Sequence, residues 1–215
     1  MIASGHVTVN GVPARAGQQI TIGTDHVSVD GSAVELREQQ TYLMLNKPAG
    51  VLSSVGDARG RPTVTDAVPR GIRVYPVGRL DLDSRGLVLL TDDGELAMRL
   101  MHPRFRVEKE YQVVIAGRPS ESALERLRAG MRIGSEAFQP ATVRILERSV
   151  DATRVVMVLR EGRKREVRRL WRALGHRVLD LQRVRIDGLR LGALAEGASR
   201  PLTPAEIARL KAAVS

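Results

Sequence analysis

Residues 75–94 have the sequence YPVGRLDLDSRGLVLLTDDG, in which a polar turn separates two apolar segments. The segment from Ile72 to Val77 enters the turn, and the segment from Leu87 to Leu90 leaves it. The outgoing segment is continuously apolar, which predicts a strand buried on both faces. A turn held between core strands is rigid enough to position a reactive side chain. The polar side chains crowded into this turn are Arg79, Asp81, Asp83, Ser84 and Arg85.

The size and composition predict a protein of one full domain and a smaller one. The chain has 215 residues, of which 43% are hydrophobic, enough for a real core. It has no cysteine, which excludes disulfides and thiolate chemistry and suits a reducing cytoplasm. No apolar run approaches the ~20 residues that span a bilayer, and no signal peptide opens the chain. We therefore expect a soluble, cytoplasmic protein with no membrane partner.

The positive charge is concentrated in one part of the chain. The net charge is +10, which points to a polyanionic partner, most often a nucleic acid. Residues 161–190 carry ten Lys or Arg against four acids, whereas residues 1–40 carry two Arg against four acids. This distribution favours a binding surface over general solubility. Aromatic residues are only 3%, so a platform that stacks many bases is not expected.

Element signals divide the chain into residues 1–38 and 39–215. Residues 1–38 alternate in short runs around Asn10-Gly11 and Asp30-Gly31, which predicts a small β unit with tight turns. Arg37 to Gln40 is predicted to be a linker. Beyond it, strands are predicted at 42–47, 108–115, 143–145, 154–159 and 181–189. Helices are predicted from Gly94 until Pro103 ends the helix, at 120–130, at 165–174 and after the capping box at Thr203, so the fold class is α+β.

The predicted helix at 165–174 has two stripes of different character. The apolar stripe has the i, i+3, i+4, i+7 spacing of a face that docks on a core, and the arginine stripe has the same spacing on roughly the opposite face. We expect the arginines to contact RNA, although a solvated helix face is the simpler alternative. The apolar stripe is Val167, Leu170, Trp171 and Leu174, and the basic stripe is Arg165, Arg168, Arg169 and Arg172.

Taken alone, the residues leave the chemistry open. Asp81 and Asp83 could form a paired acid–base site, but neighbouring carboxylates more often cap a turn or face solvent. The four histidines are scattered, which does not favour a metal site, and no glycine-rich phosphate loop is present. Lys47 either contacts a phosphate or is a solvated turn residue. These patterns indicate a basic RNA- or DNA-binding domain with an acidic residue in a rigid turn.

Four motifs resemble those of RNA pseudouridine synthases of the RsuA, RluB, RluE and RluF type, and most closely the RluB-like large-subunit group. The resemblance runs in order from residue 42 to about 207, and residues 4–11 are similar to the second half of an S4 RNA-binding domain. The helices that begin such a domain are absent, so we expect a partial S4-like unit. The motifs are Asn46-Lys47-Pro48-Ala49-Gly50, Gly78-Arg79-Leu80-Asp81, Lys109-Glu110-Tyr111 and Glu161-Gly162-Arg163-Lys164-Arg165-Glu166-Val167-Arg168-Arg169.

The resemblance implies a fold and a reaction. The fold would be a largely antiparallel mixed sheet in two halves, flanked by helices. The enzyme would extrude a uridine of ribosomal RNA, 23S in preference to 16S, and rejoin its base through C5. Asp81 would be the nucleophile or otherwise assist glycosidic cleavage, Tyr111 would stack on the uracil, and Arg168 would pair with Asp81. No cofactor or metal is implied, and a monomer is expected. The implied RNA contacts are Lys47, Arg79, Arg163, Lys164, Arg165, Arg169 and Arg172.

Two functions of other classes are also compatible with a basic domain of this size. A non-catalytic RNA-binding or ribosome-assembly factor would bind rRNA without isomerising it. The intact set of Arg79, Asp81, Tyr111 and Arg168 argues against that alternative. A DNA-binding regulator ranks last because no helix-turn-helix pair is evident.

Overall fold

The computed structural model describes residues 1–34 and 40–215, which form two compact units, Met1–Gln40 and Thr41–Ser215. The predicted boundary between residues 38 and 39, and most of the predicted linker, lie outside the described residues. In the described part of the chain, no helix is both long and apolar enough to cross a membrane.

The first unit is a four-stranded antiparallel sheet with the order β2-β1-β3-β4. Asn10 and Asp30 have φ angles of 51° and 49°, and the glycine after each also has a positive φ. Two consecutive residues with positive φ make the tight hairpin turn that Asn-Gly and Asp-Gly predict. The S4-like interpretation of this unit stays a prediction. The strands are β1 (Val7–Val9), β2 (Val12–Pro13), β3 (Val27–Val29) and β4 (Ser32–Val34).

The second unit combines strands and helices. Two short 3₁₀ helices also occur, at Val64–Ala67 and Pro103–Phe105. The helices are α1 (Gly94–Met101), α2 (Glu121–Ala129), α3 (Glu166–Ala173) and α4 (Pro204–Ala212). The strands are β5 (Tyr42–Lys47), β6 (Tyr75–Pro76), β7 (Arg85–Thr91), β8 (Lys109–Ala116), β9 (Met131–Ile133), β10 (Glu136–Phe138), β11 (Thr142–Arg148), β12 (Ala152–Leu159), β13 (Val178–Ile186), β14 (Leu189–Arg190) and β15 (Ser199–Pro201).

The main sheet has two antiparallel halves joined by one short parallel contact. Its order is β11-β12-β8-β13-β7-β5-β15, with β14 beside β13 and β6 beside β7. Only β13 and β7 run parallel in this order, and their register pairs Gln182 with Arg85 and Arg183 with Gly86. This arrangement confirms the predicted α+β fold with a mixed sheet in two halves. The polar turn before β7 lies at the seam between them.

Strand β7 passes through the centre of the core. Leu87 and Leu89 pack in one apolar cluster, whereas Val88 and Leu90 pack in another, and all four are fully buried. The prediction of a strand buried on both faces is therefore confirmed. The strand expected from Ile72 to Val77 is shorter than predicted and reduces to β6. A turn in which Ile72 bonds back to Pro69, with Gly71 at φ 84°, occupies the start of that segment.

Helix α3 has the two faces that its sequence predicts. Val167, Leu170 and Trp171 are buried in the core, and Trp171 has no exposed surface. Arg172 is exposed on the other side. The helix begins after Arg165, which has the left-handed φ of 54°. Burying the apolar stripe therefore fixes which way the arginines point.

The two halves of the sheet approach most closely at Gly86. Its φ is +108°, and a Cβ built there would lie 2.2 Å from the carbonyl oxygen of Arg183. That distance is far inside van der Waals contact with backbone, which cannot rotate away. Any larger residue would push β7 and β13 apart at their parallel contact. Glycine is therefore required by the close approach of two backbones as well as by its own φ.

We expect Gly86→Ala to lower the free energy of unfolding by more than ~3 kcal/mol, because a strained φ and a backbone clash combine at one residue. Urea denaturation followed by circular dichroism measures this change. Gly56→Ala is the matched control, since a Cβ there meets nothing within 4 Å. A loss at Gly86 no larger than at Gly56 would contradict the required close approach.

Candidate active site

A cleft of about 1100 Å³ opens over the seam of the sheet. The turn before β7, strands β8 and β13, and the segment that leads into α3 line it. Elements far apart in the sequence therefore converge on one cavity. The predicted site residues that line it are Arg79, Asp81, Tyr111, Arg163, Lys164 and Arg165, and its other polar residues include Lys109, Glu166 and Arg183.

Residues 78–84, which we call the catalytic turn, are held by backbone and side-chain bonds from two directions. The Ser84 amide donates to the Asp81 carbonyl over 3.1 Å, which closes the turn on itself. The Gly50 amide donates to the Leu82 carbonyl over 2.8 Å, and the Ser53 hydroxyl bonds the backbone of Leu80. The Asp81 side chain is about one quarter exposed, at 26%. The backbone that carries Asp81 is thus held in place, and its carboxylate is open to the cleft.

Lys47 supports the catalytic turn from below and does not face RNA. Its side chain is completely buried, and its ammonium donates to the carbonyls of Pro48 and Ser84, both over 2.8 Å. Burial lowers the pKa of Lys47 to about 8, and the nearby carboxylates of Asp83 and Asp81 oppose that shift. The prediction that Lys47 contacts RNA is wrong, as is the alternative of a solvated turn residue. The apolar strand β5 carries it into the core.

The arginine nearest to Asp81 is Arg165. Its guanidinium lies 3.9 Å from the Asp81 carboxylate and forms a two-pronged bond with Asp83, at 3.1 and 3.0 Å. Arg168 instead donates to the Asp83 carbonyl over 2.8 Å and lies 3.4 Å from the Asp83 carboxylate. Among the described residues, no ion pair joins Arg168 to Asp81 within 4.0 Å. The expected ion pair between Arg168 and Asp81 is therefore not found, because Arg168 interacts with Asp83 instead.

Asp83 consequently ties helix α3 to the catalytic turn. The hydrogen bonds from Arg165 lower the pKa of Asp83, and the charges of Arg168 and Arg165 add to the effect. The side chain of Asp83 is about half exposed, so solvent screens part of this attraction. The two acids of the turn thus differ in role. Asp83 anchors the arginines, and Asp81 is left open to the cleft.

The inner end of the cleft, which we call the inner wall, is built from Lys109, Tyr111, Glu166 and Arg183. Tyr111 and Arg183 are directly opposite in the register of β8 and β13, and both are buried. Burial raises the pKa of Tyr111, an effect that the Arg183 guanidinium opposes. Burial also lowers the pKa of Lys109 to about 8 and raises that of Glu166 to about 7. The inner wall is therefore desolvated, as a site for an uncharged ring requires.

The remaining predicted RNA contacts surround the cleft on one basic surface. Arg79 is exposed on the catalytic turn. A shallow cavity of about 300 Å³ on α3 is lined entirely by cations. Three of the arginines are partly neutralised, since Arg163 bonds Glu161, Arg165 bonds Asp83 and Arg169 bonds Glu136. The RNA-binding roles of these residues stay predictions. The cations that line the shallow cavity are Lys164, Arg165, Arg168, Arg169 and Arg172.

Comparison with known proteins identifies the family. The family model described as RNA pseudouridylate synthase matches residues 41–173. The chain belongs to this family. It is 40% identical to the ribosomal large subunit pseudouridine synthase B of Bacillus subtilis over 218 residues, covering 99% of the chain and 88% of that protein. It is also 39% identical to the protein of that name from Haemophilus influenzae, covering 89% of the chain and 56% of that protein.

A solved structure of a pseudouridylate synthase supports the same assignment. The two chains share 32% sequence identity and superpose with a TM-score of 0.74, covering 97% of this chain and 90% of the other. The protein is therefore an RNA pseudouridine synthase, an isomerase with the fold that its motifs imply. The functions of its individual site residues are proposals that rest on the geometry above.

Several residues of this pseudouridine synthase site could not be found from the sequence. Arg183 is one of many arginines in a basic segment, and nothing in its neighbourhood distinguishes it. Lys109 and Tyr111 are two residues apart on a strand, so a shared face was predictable once β8 was placed. Glu166 and Asp83 are acids among arginines, which usually indicates surface ion pairs. Their burial or anchoring role depends on the seam of the sheet.

We expect Lys47→Met to reduce turnover while RNA affinity stays within about twofold and the salt dependence of binding is unchanged. The buried ammonium makes no phosphate contact, but its loss frees the Ser84 carbonyl and loosens the catalytic turn. Lys164→Met is the control, because its exposed side chain should lower the slope of log K against log salt by roughly 0.7 to 0.9. Filter binding over a salt series measures both. A reduced slope for Lys47→Met would contradict its assignment to the core.

We expect the wild-type protein to lose stability between about pH 5 and 8 relative to Glu166→Gln. The folded pKa of Glu166 lies above its unfolded value of 4.5, so the unfolded chain releases this proton first and stability falls as pH rises through that window. Glu161, Arg163 and Lys109 are the charged groups around it. The difference should reach roughly 1–3 kcal/mol. Denaturation midpoints across pH measure it, with exposed Glu125→Gln as the control. Parallel pH curves for wild type and Glu166→Gln would disprove the shift.

Proposed function

We propose that this enzyme converts a specific uridine of 23S ribosomal RNA into pseudouridine. The relatives from Bacillus subtilis and Haemophilus influenzae carry the name of a large-subunit enzyme. The single observation that supports this function best is the placement of Asp81. Its carboxylate on the hydrogen-bonded turn, the buried ring of Tyr111 and the cations around them line one cleft.

The cleft suits a nucleotide that has been turned out of its helix. The glycosidic bond of a paired uridine is shielded, so an enzyme acting on it extrudes the base into a pocket. A cavity of about 1100 Å³ exceeds the volume of one nucleotide and leaves room for flanking phosphates. Exposed Arg79 on the catalytic turn would fill the vacated place in the RNA or hold its backbone. The basic surface of α3 would bind neighbouring phosphates.

In this proposal, the catalytic turn supplies the reactive group and the inner wall binds the base. Asp81 acts as the nucleophile, or otherwise assists cleavage of the bond between N1 and C1′. The guanidinium of Arg165 lies 3.9 Å from that carboxylate. Tyr111 stacks on the uracil, and after the base has turned, C5 bonds to C1′ and the carboxylate of Asp81 is released. Tyr111 then assists removal of the proton from C5, and N1 gains a proton.

We expect Asp81→Asn to abolish pseudouridine formation, by at least ~10³-fold, while RNA affinity changes by less than about threefold. The amide keeps the shape of the side chain and removes its charge. Asp151→Asn, at an exposed turn between β11 and β12, is the control and should retain full activity. Turnover is measured on 23S rRNA transcripts by mapping pseudouridine. Retained activity in Asp81→Asn would remove this aspartate from the mechanism.

The choice of 23S rRNA has a separate test. Pseudouridine is mapped in both ribosomal RNAs from a strain that lacks this gene, and the purified enzyme is then supplied with 23S and 16S transcripts. We expect one uridine of 23S rRNA to lose its modification in the strain and to regain it in vitro. Loss at a 16S site would reassign the substrate. Binding without isomerisation of either RNA would favour an assembly role.

A further inference from the structure

Arg183 is a buried cation whose guanidinium interacts with the Tyr111 hydroxyl but keeps one nitrogen, Nη2, without a hydrogen-bond partner among the described residues. Its Nε donates to the Leu87 carbonyl over 2.8 Å, which fixes the side chain against β7. The residue is 3% exposed, and its Nη2 has no hydrogen-bond partner among the described residues. No ion pair with a described acid reaches it within 4.0 Å. The side chain of Arg183, which carries this nitrogen, lines the cleft and lies opposite Tyr111 in the sheet.

This arrangement is costly for a residue with only a structural role. A buried guanidinium nitrogen that lacks a hydrogen-bond partner destabilises the fold relative to a bonded one. Arg185, two residues further along the same strand, shows what a structural arginine looks like here. It bonds the carboxylates of Glu110 and Glu108 and the Asp187 carbonyl. The free donor of Arg183 is therefore best explained by a ligand that enters the cleft.

The charges of the inner wall indicate what that ligand carries. Lys109 and Arg183 are two cations in this desolvated region, and Glu166 is the acid beside them, with its pKa raised by burial. The inner wall therefore favours an acceptor that gains negative charge. A phosphate already has exposed cations at the mouth of the cleft, Lys164 and Arg165. An uncharged ring that becomes negative during the reaction fits the interior better.

We propose that Arg183 donates from Nη2 to a carbonyl oxygen of the target uracil and stabilises the negative charge that forms when the glycosidic bond breaks. This inference rests on the proposed function. When the bond between N1 and C1′ breaks, its electron pair stays on N1, and the charge spreads to O2 and O4 of the ring. Asp81, acting as nucleophile, supplies the new bond to C1′. Arg183 keeps its own protons throughout, so it acts as a fixed donor and no proton is transferred.

The first test measures kcat and KM for Arg183→Gln and Arg183→Lys on a 23S rRNA fragment that the wild type modifies. We expect Arg183→Gln to lower kcat by roughly 10²- to 10³-fold, the usual effect of losing one donor to a developing anion, with KM changed less than threefold. Arg183→Lys, which keeps the charge, should lose less. Arg185→Gln is the control and should retain kcat within a few fold. Its bonds to Glu108 and Glu110 are also lost, so it reports the effect of disturbing β13 alone.

The second test distinguishes stabilisation of the base from support of the fold. Fragments carry uridine, 2-thiouridine or 4-thiouridine at the target, since sulfur accepts hydrogen bonds weakly at the replaced position. Wild type and Arg185→Gln should slow on the thio substrate whose oxygen Arg183 contacts, whereas Arg183→Gln should show little further loss there. A merely structural role would give the same thio effect in every variant. If Arg183→Gln does not fold, Arg183→Lys serves for the same comparison.

Two results would overturn the proposal. One is a kcat of Arg183→Gln within threefold of the wild type, and the other is a thio effect that Arg183→Gln retains at both positions. Failure of the proposed function is detected separately. In that case the wild type itself would not modify the unsubstituted fragment, before any variant is compared.

Discussion

The contact between Gly86 and Arg183 is the constraint on which the rest of the structure depends. At this contact the two antiparallel halves of the sheet run parallel for a single short stretch, and their backbones approach too closely for any side chain at residue 86. The catalytic turn ends immediately before it. The position of Asp81 is therefore set by the join of the two halves, and Arg183 is delivered to the same cleft by the other strand of that join.

Hydrogen bonds from the core and from α3 hold the catalytic turn in place at this seam. Lys47 binds the Ser84 carbonyl from the core, and Arg168 binds the Asp83 carbonyl from the helix. Both cations donate to backbone oxygens and not to the carboxylate of Asp81. That carboxylate is therefore left accessible in the cleft, as the proposed role of Asp81 requires.

The site also contains groups that a purely structural core would avoid. An oxygen of Glu166 and a nitrogen of Arg183 are buried without hydrogen-bond partners among the described residues. Each such group lowers the stability of the empty protein, and a bound ligand can recover that loss. The buried atoms of the inner wall that lack hydrogen bonds therefore indicate where a ligand is expected to bind. Arg185 belongs to the same strand, but its guanidinium is hydrogen-bonded to Glu108, Glu110 and Asp187.

The family and most element types could be predicted from local sequence alone. Asp81 and Tyr111 could be proposed for the site because their motifs are long and local, and the faces of α3 could be predicted because helical periodicity is a local property. The roles of Lys47 and Arg168 could not. Whether a cation reaches RNA, a carbonyl or a carboxylate depends on which distant strand lies beneath it. The packing of distant elements buries Lys47 and brings Arg168 to Asp83. The same packing places Arg183 in the lining of the cleft, with its Nη2 lacking a hydrogen-bond partner among the described residues. The physical reason is that burial and pairing are properties of packed surfaces, and those surfaces exist only after β7 and β13 have met.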